Sequence, residues 1–238
     1  VIFVPKTAVG DIISVKILKP LASYGYGKCE AILTPSADRC EPGCPVFTKC
    51  GGCLFRHIRY DAELRIKKSW VEENFKRIGN LPILCDTILP SPEVNGYRNK
   101  AQIPCGIDSN GMPAFGFFAA HSHRIIPCEA CCLQPDFYPA IIRCLADWMV
   151  QYGIKPYDEQ TQTGTVRHLF LRDGRDSGEI MVCIVANADS LPQADALVCS
   201  LMKVNPKIAS IVLNVNRKKG NSILGEKCIT LWGKDTIT

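Results

Sequence analysis

A run of four cysteines constrains this chain more than any other feature of its sequence. Cys40, Cys44, Cys50 and Cys53 lie within fourteen residues, and the last two enclose Gly51-Gly52. A Cys-x-x-Cys turn directs two sulfur atoms toward one centre, and the five residues back to Cys44 are enough to deliver a third thiolate. The two glycines let the backbone bend tightly and turn its N–H groups toward the sulfurs. The spacing therefore predicts a metal-binding loop, and it leaves zinc and iron both open as the metal.

The rest of the composition is that of a globular protein kept in a reducing compartment. Of the 238 residues, 47% are hydrophobic and 21% are charged, which excludes a disordered chain. No apolar run reaches the roughly 18 residues of a membrane span, and the first six residues lack the features of a secretory signal. The 14 cysteines stand at metal spacing or singly in apolar segments. We therefore expect reduced thiols, a cytoplasmic location and no membrane partner.

The basic charge is concentrated in the first part of the chain. Residues 1–100 hold 15 Lys and Arg against 10 Asp and Glu, a surplus of +5, whereas residues 101–238 hold 13 of each. The net charge of +5 therefore belongs to the part that carries the cysteine run. Such a surplus is either a solvated surface or the docking surface of a polyanion such as RNA, and charge alone does not separate the two.

The order of the predicted elements indicates an α+β protein of several domains. Residues 1–38 are typical of a small β-barrel that begins abruptly at Val1 without a Met, so we expect it to be truncated at its start. The cysteine loop follows over 39–59, and a central domain with mixed α/β elements over 60–238. The predicted strands are 2–4, 11–18, 29–33, 98–107, 114–118, 165–172, 179–186 and 208–215, and the predicted helices are 61–79, 137–152 and 191–203.

Several motifs match one enzyme family in the same order along the chain. The cysteine loop, with His57 and Tyr60 after it, resembles the iron–sulfur segment of the RumA/RlmD-type RNA (uracil-5-)-methyltransferases. Further matches follow collinearly at 95–100, 116–117, 122–126, 131–134 and 166–172. Residues 1–38 resemble a TRAM domain, which is an OB-like RNA-binding β-barrel. The resemblance thus covers essentially the whole chain.

The resemblance implies a [4Fe–4S] cluster with four cysteine ligands, which are Cys44, Cys50, Cys53 and Cys131. Cys128 and Cys132 compete for the position of the fourth ligand, and the match around Gln134 selects Cys131. Cys40 has no counterpart in the family pattern that we can assign.

The family also implies chemistry that this sequence does not display. Its members use a cysteine thiolate that attacks C6 of uracil, S-adenosylmethionine as the methyl donor, and a carboxylate base that removes the C5 proton. No glycine-rich turn for S-adenosylmethionine is visible, Cys199 and Cys228 lie in segments unlike the catalytic motif, and the sequence stops at Thr238. We therefore expect the Rossmann-like domain that binds S-adenosylmethionine to be missing. The 238 residues are accordingly predicted to hold no catalytic residue and to be inactive alone.

The function predicted from the resemblance is that of a monomeric part of an enzyme that forms 5-methyluridine in 23S ribosomal RNA. A tRNA uracil-5-methyltransferase and a non-catalytic RNA-binding iron–sulfur or zinc protein stay open as alternatives. Basic and aromatic side chains near the loop and on strands are candidates for phosphate and base contacts. The predicted RNA contacts are Phe55, Arg56, His57, Arg98, Lys100, Arg124 and Arg167.

Overall fold

The computed structural model describes residues 1–220 and 222–238, which form two compact units. The first unit comprises residues 1–47 and 53–94, and the second comprises residues 48–52 and 95–238. The elements of the described residues are, in chain order, β1 (Ile2–Phe3), β2 (Ile12–Pro20), β3 (Gly25–Thr34), α1 (Tyr60–Arg77), β4 (Lys100–Ile107), β5 (Pro113–Phe118), β6 (Ile125–Pro127), α2 (Tyr138–Gln151), β7 (Val166–Asp173), β8 (Ile180–Ala186), α3 (Ala194–Val204), β9 (Ile208–Val215) and β10 (Lys227–Gly233).

The sheet of the first unit has three strands in the order β1-β3-β2. β2 and β3 are antiparallel, and β1 runs parallel to β3. Two glycines of β3 face the packed side of this sheet: a Cβ on Gly27 would lie 2.5 Å from Val15 Cγ1, and a Cβ on Gly25 would lie 2.9 Å from Ile2 Cδ1. The described residues form a three-stranded sheet here, and the predicted RNA-binding β-barrel over residues 1–38, truncated at its start, stays a prediction.

A buried ion pair holds the loops beside this sheet. The Asp11 side chain is 1% exposed, and its carboxylate accepts hydrogen bonds from Arg39 Nε at 2.8 Å and from a terminal guanidinium nitrogen of Arg39 at 2.6 Å. The backbone N–H groups of Ala8 and Ser36 donate to the same carboxylate at 2.6 and 2.9 Å. The hydrogen bond from Arg39 is the main cause that holds the pKa of Asp11 well below its usual range.

Helix α1 is stabilised more by its surface than by a core. Its first residue is Tyr60 and its N-cap is Arg59, which makes no side-chain cap hydrogen bond. Asp61 pairs with Arg65 at 2.7 Å, one of several (i, i+4) ion pairs on the helix. Ala62 is its one buried residue, and Trp70 is 53% exposed.

The second unit is built on a seven-stranded sheet in the order β10-β9-β8-β7-β4-β5-β6. Neighbouring strands are antiparallel except β8 and β9, which are parallel and are connected through α3. Both are near-continuous apolar runs, as is typical of strands covered on both faces. The sequence analysis did not predict β6, which has three residues, or β10, whose side chains are mostly exposed.

Helices α2 and α3 pack on one face of this sheet and form the main core. Ile141 and Leu145 of α2 and Leu197 of α3 are fully buried against sheet residues such as Leu169 and Leu213. Burial of such side chains is worth about 1.5–3 kcal/mol each. None of the described helices is long and apolar enough to cross a membrane.

Candidate functional site at the Cys50 turn and the start of β4

The Cys50 turn, residues 50–52, packs against the hairpin of β5 and β6. The Gly51 N–H donates to the Phe118 carbonyl at 3.0 Å, and Cys50 forms an isolated β-bridge with Ala119. A Cβ on Gly51 would lie 2.9 Å from the backbone nitrogen of Ala120, so the close approach requires glycine at this position. The Gly52 N–H points back at Cys50 Sγ, 3.4 Å away. The backbone thus donates to the sulfur as the sequence analysis predicted for this loop.

A shallow pocket of about 520 Å³ lies between this turn and the hairpin. Its lining residues are Gly51, Gly52, Phe117, Phe118, Ala119, Ala120, His121, Ser122 and His123. The rings of Phe118 and His123 meet edge to face with centroids 5.5 Å apart, and Phe118 is 40% exposed. Arg124, a predicted RNA contact, follows this lining and is exposed. An accessible ring, small residues, imidazoles and a nearby guanidinium suit a planar polar group next to a phosphate.

Two motifs that are distant in sequence are hydrogen-bonded to each other in the second unit. The Gly96 N–H donates to the Cys132 carbonyl at 2.9 Å, and the Arg98 N–H donates to the Leu133 carbonyl at 3.0 Å. The Gln134 N–H in turn donates to the Cys131 carbonyl at 3.0 Å. The structure therefore brings the segment 95–100 against the segment 131–134.

Four exposed basic residues, which we call the basic edge, gather where β4 begins; they are Arg98, Lys100, Arg172 and Arg175. Lys100 and Arg172 are direct cross-strand partners, and Arg175 donates to the Gly96 carbonyl at 2.6 Å. β4 begins at Lys100 and not at Arg98, where the sequence predicted its start, and both residues are exposed. Like charges on opposed strand positions repel, which favours an anion beside them.

Sequence reasoning missed Arg172 and Arg175 as members of this edge. The alternation of β7 places Arg172 on the face that is opposite to buried Leu169 and Leu171. That pattern was present in the sequence, but the cross-strand register that sets Arg172 against Lys100 was not.

Two of the predicted RNA-contacting residues, His57 and Arg167, are buried and contact other parts of the protein. His57 is 4% exposed, its Nε2 lies 3.2 Å from the Thr7 carbonyl, and its ring packs on Phe47 at a centroid distance of 5.3 Å. The ring is thus covered by the protein, and the contact of His57 with RNA stays a prediction that this burial does not support.

The Arg167 side chain is also buried. Its side chain is 1% exposed and donates to the carbonyls of Asn216 and Lys218 at 3.0 and 2.8 Å and to Glu159 at 2.5 Å. The guanidinium also stacks on Tyr157, 4.6 Å from the ring centroid. These contacts engage the guanidinium within the second unit, and the contact of Arg167 with RNA stays a prediction that they do not support.

The remaining two predicted contacts lie in the first unit and are half-buried. The Phe55 ring packs on Trp70 at 5.5 Å, with Lys67 Nζ 5.8 Å from its centroid. Arg56 Nε donates to the Pro42 carbonyl at 3.1 Å. Their roles in RNA binding stay predictions.

The predicted metal ligands lie in both units. Cys44 and Cys53 belong to the first unit and Cys50 and Cys131 to the second, and each is half-buried. Among residues 1–220 and 222–238, no group of three or more Cys, His, Asp or Glu side chains is placed to hold a metal ion. The ligand set of the [4Fe–4S] cluster stays a prediction.

The chain is similar to bacterial RNA methyltransferases along nearly its whole length. It is 38% identical over 239 residues to an "uncharacterized RNA methyltransferase" of Halalkalibacterium halodurans and 36% identical over 236 residues to one of Clostridium tetani. Each alignment covers 99% of this chain but only 52% and 51% of the relative. The chain thus spans about half the length of the curated relatives it matches. The homologues of this chain are RNA methyltransferases. No family model matches it.

A solved structure shares the fold. The crystal structure of Pyrococcus abyssi tRNA (uracil-54, C5)-methyltransferase in complex with S-adenosyl-L-homocysteine superposes with a TM-score of 0.73 at 24% identity. The match covers 99% of this chain and 52% of that chain.

These comparisons overturn three expectations from the sequence. The expectation that the methyltransferase fold is missing is wrong, because practically the whole chain has the fold of part of a methyltransferase. The prediction of an inactive chain is wrong for the same reason: it relied on the end of the sequence and on an unseen glycine-rich turn, and neither tests the fold. The predicted function, a non-catalytic part of a 23S ribosomal RNA enzyme, is contradicted as well, because the relatives are RNA methyltransferases and the superposed structure is that of a methyltransferase.

Proposed function

We propose that this protein is an S-adenosylmethionine-dependent RNA (uracil-5-)-methyltransferase that acts on transfer RNA. The observation that carries the proposal is the similarity of 99% of the chain to RNA methyltransferases, at 36–38% identity, together with the fold of a tRNA (uracil-54, C5)-methyltransferase. S-adenosylmethionine supplies the methyl group in this reaction. We assign no described residue to its binding.

The surfaces of the second unit support an RNA substrate. The basic edge offers guanidinium and ammonium groups with the spacing of neighbouring β positions, which suits a phosphate backbone. The pocket at the Cys50 turn offers the Phe118 ring and hydrogen-bonding groups, which suit an unpaired base. Arg124 follows that pocket in the chain, and we propose that it contacts phosphate.

The same proposal includes a [4Fe–4S] cluster on Cys44, Cys50, Cys53 and Cys131. The Cys-x5-Cys-Gly-Gly-Cys spacing supports it, and so does the N–H of Gly52 that donates to Cys50. We expect a structural role for the cluster and route no chemical step through it.

Methyl transfer is tested with the protein expressed from its complete gene. Incubation with S-adenosylmethionine labelled in its methyl group should yield 5-methyluridine in unmodified transfer RNA and none in 23S ribosomal RNA. A matched transfer RNA in which the target uridine is replaced by cytidine serves as the control. Methylation of ribosomal RNA alone, or of neither RNA, would refute the proposal.

The cluster is tested by iron and sulfide analysis of protein purified without oxygen. Near-equal iron and sulfide are expected, with loss of both in Cys131→Ser and retention in the matched variant Cys132→Ser. Stoichiometric zinc without sulfide would overturn the cluster while leaving the methyltransferase proposal intact.

A further inference from the structure

A buried tyrosine and a buried aspartate are hydrogen-bonded to each other behind the basic edge. Tyr138, the first residue of α2, is 1% exposed, and Asp173, the last residue of β7, is 8% exposed. The Tyr138 hydroxyl donates to an Asp173 carboxylate oxygen at 2.6 Å. Burial is the main cause that raises the pKa of Tyr138, so its hydroxyl stays protonated and remains a donor. Burial of a carboxylate is costly and an apolar pair of similar size would avoid that cost, which indicates a role for the two residues beyond packing.

Asp173 lies where the end of β7 meets the start of β4. Its backbone N–H donates to the Asn99 carbonyl at 3.0 Å. Its neighbour Arg172 is the cross-strand partner of Lys100. Since successive side chains of a strand point to opposite faces, Asp173 faces α2 and Arg172 faces away from it. Asp173 thus lies directly behind two members of the basic edge.

Tyr138 is connected to the same region from the other side. The segment 131–134, which leads into α2, accepts the backbone hydrogen bonds of Gly96 and Arg98. Arg175, which follows β7, donates to the Gly96 carbonyl. The residues before β4 are therefore held between the chain that enters α2 and the chain that leaves β7. The hydrogen bond from Tyr138 to Asp173 joins these two supports.

We propose that Tyr138 and Asp173 are positioning residues that hold the basic edge in the arrangement that binds RNA phosphates. Their hydrogen bond fixes the end of β7 to the start of α2, so the opposed side chains of Lys100 and Arg172 stay side by side in spite of their repulsion. Cations that are fixed in this way contact neighbouring phosphates without a further loss of conformational entropy. The inference rests on the proposed function for the RNA substrate, and it adds two buried residues to the exposed ones that contact RNA.

The experiment measures the salt dependence of RNA binding by the protein expressed from its complete gene. Fluorescence anisotropy gives its affinity for a uridine-rich single-stranded RNA between about 50 mM and about 1 M salt. Tyr138→Phe keeps the buried ring but loses the donor, and the log–log slope should become shallower by about 0.7, the contribution of one phosphate contact on a single strand. With the affinity at about 1 M salt unchanged, this corresponds to about 8-fold weaker binding at about 50 mM salt.

Two substitutions of Asp173 separate the hydrogen bond from the charge. Asp173→Asn keeps an acceptor oxygen for Tyr138 and should keep the wild-type slope. Asp173→Ala removes the acceptor and should make the slope shallower, as Tyr138→Phe does. Ile142→Val is the matched control, because it deletes one methylene from a side chain of α2 that is 1% exposed and leaves the hydrogen bond in place. Its salt slope should equal that of the wild type.

A combination of substitutions tests whether the pair acts through the basic edge. The double variant Lys100→Gln and Arg172→Gln should make the slope shallower by about 1.4, which corresponds to two phosphate contacts. Addition of Tyr138→Phe to this double variant should change the slope no further, because the side chains that the pair positions are gone.

Hydrogen exchange reports the position of the strand end without RNA. The Asp173 amide, which donates to Asn99, should exchange faster in Tyr138→Phe and Asp173→Ala than in the wild type and Ile142→Val. Urea unfolding establishes that each variant is folded.

The outcomes separate this inference from the proposed function. If the wild type methylates transfer RNA but Tyr138→Phe keeps the wild-type salt slope, the positioning role is refuted and the function stands. If the wild type methylates no RNA but Tyr138→Phe has the shallower slope and Asp173→Asn does not, the function falls and the positioning role stands. A slope as shallow in Ile142→Val as in Tyr138→Phe would show that any loss of core packing has this effect, and it would refute the positioning role.

Discussion

Substitution of Gly51 by alanine tests the packing of the Cys50 turn directly. The added Cβ would lie 2.9 Å from Ala120 N, 3.0 Å from Ala120 Cα and 3.2 Å from Phe118 O. All three are backbone atoms of a hairpin turn, so none of them moves away as a flexible side chain would. Overpacking of this kind costs about 1–3 kcal/mol. Displacement of the turn also removes the hydrogen bond from Gly51 N–H to Phe118 O, worth about 0.5–1.5 kcal/mol.

Gly51→Ala should therefore destabilise the docked turn by about 1.5–4.5 kcal/mol, the sum of these two costs. Gly52→Ala is the matched control, since its nearest neighbour would be Cys50 Sγ at an ordinary 3.4 Å and its N–H is kept. That variant should change stability by less than about 0.5 kcal/mol.

Hydrogen exchange of the amide of residue 51 reports the docking itself, apart from global unfolding. A cost of 2 kcal/mol corresponds to about 30-fold faster exchange in Gly51→Ala if local opening governs exchange. Urea unfolding of both variants measures any global effect. Equal exchange in Gly51→Ala and Gly52→Ala would refute the tight contact between the Cys50 turn and the hairpin.

Three further predictions concern buried charged or titratable groups. Asp11→Asn should lower the free energy of unfolding by about 3 kcal/mol at pH 7. The depressed pKa of Asp11 stabilises the fold only where the unfolded carboxyl is ionised, so the wild type should lose this stability below about pH 4 and the variant should not. Urea unfolding at pH 7 and pH 3 will measure both effects. Burial lowers the pKa of His168 to about 4; stability should be complete above about pH 6.5 and decrease by up to about 3 kcal/mol toward pH 4, and His168→Gln should flatten that pH profile in thermal melts. Arg167→Ala should lower the free energy of unfolding in urea by about 3 kcal/mol. The log–log salt slope of RNA binding should stay unchanged in Arg167→Ala and become shallower by about 0.7 in Arg124→Ala, as anisotropy titrations will test.

The sequence predicted those elements whose apolar pattern is strong. The predicted strand 208–215 agrees with β9, and the predicted strands 165–172 and 179–186 agree with β7 and β8 within one residue. The reason is that a long apolar run bounded by turns is buried as a strand of the sheet. β6 and β10 were missed since a three-residue strand and an exposed edge strand carry little periodic signal. The sheet order is set by long-range pairing, which no local pattern contains.

The candidate site was only partly predictable for a similar reason. The cysteine spacing and the exposed Arg98, Lys100 and Arg124 were found from the sequence, and residue type alone supported them. The burial of His57 and Arg167 was not visible in the sequence, because a buried polar side chain differs from an exposed one by its partners, and those partners come from distant segments.

The scarcity of buried apolar side chains in the first unit has a calorimetric consequence. Its buried hydrophobic residues are Ala8, Phe47, Ile58 and Ala62, whereas the second unit contains the main core. The heat capacity of unfolding grows with the apolar surface that becomes exposed and decreases with the polar surface. The first unit should therefore contribute less heat capacity per residue than the second, and its stability curve should be broad and flat. Enthalpic contacts such as the Asp11–Arg39 pair then set its stability over a wide range of temperature, so cooling should affect this unit little.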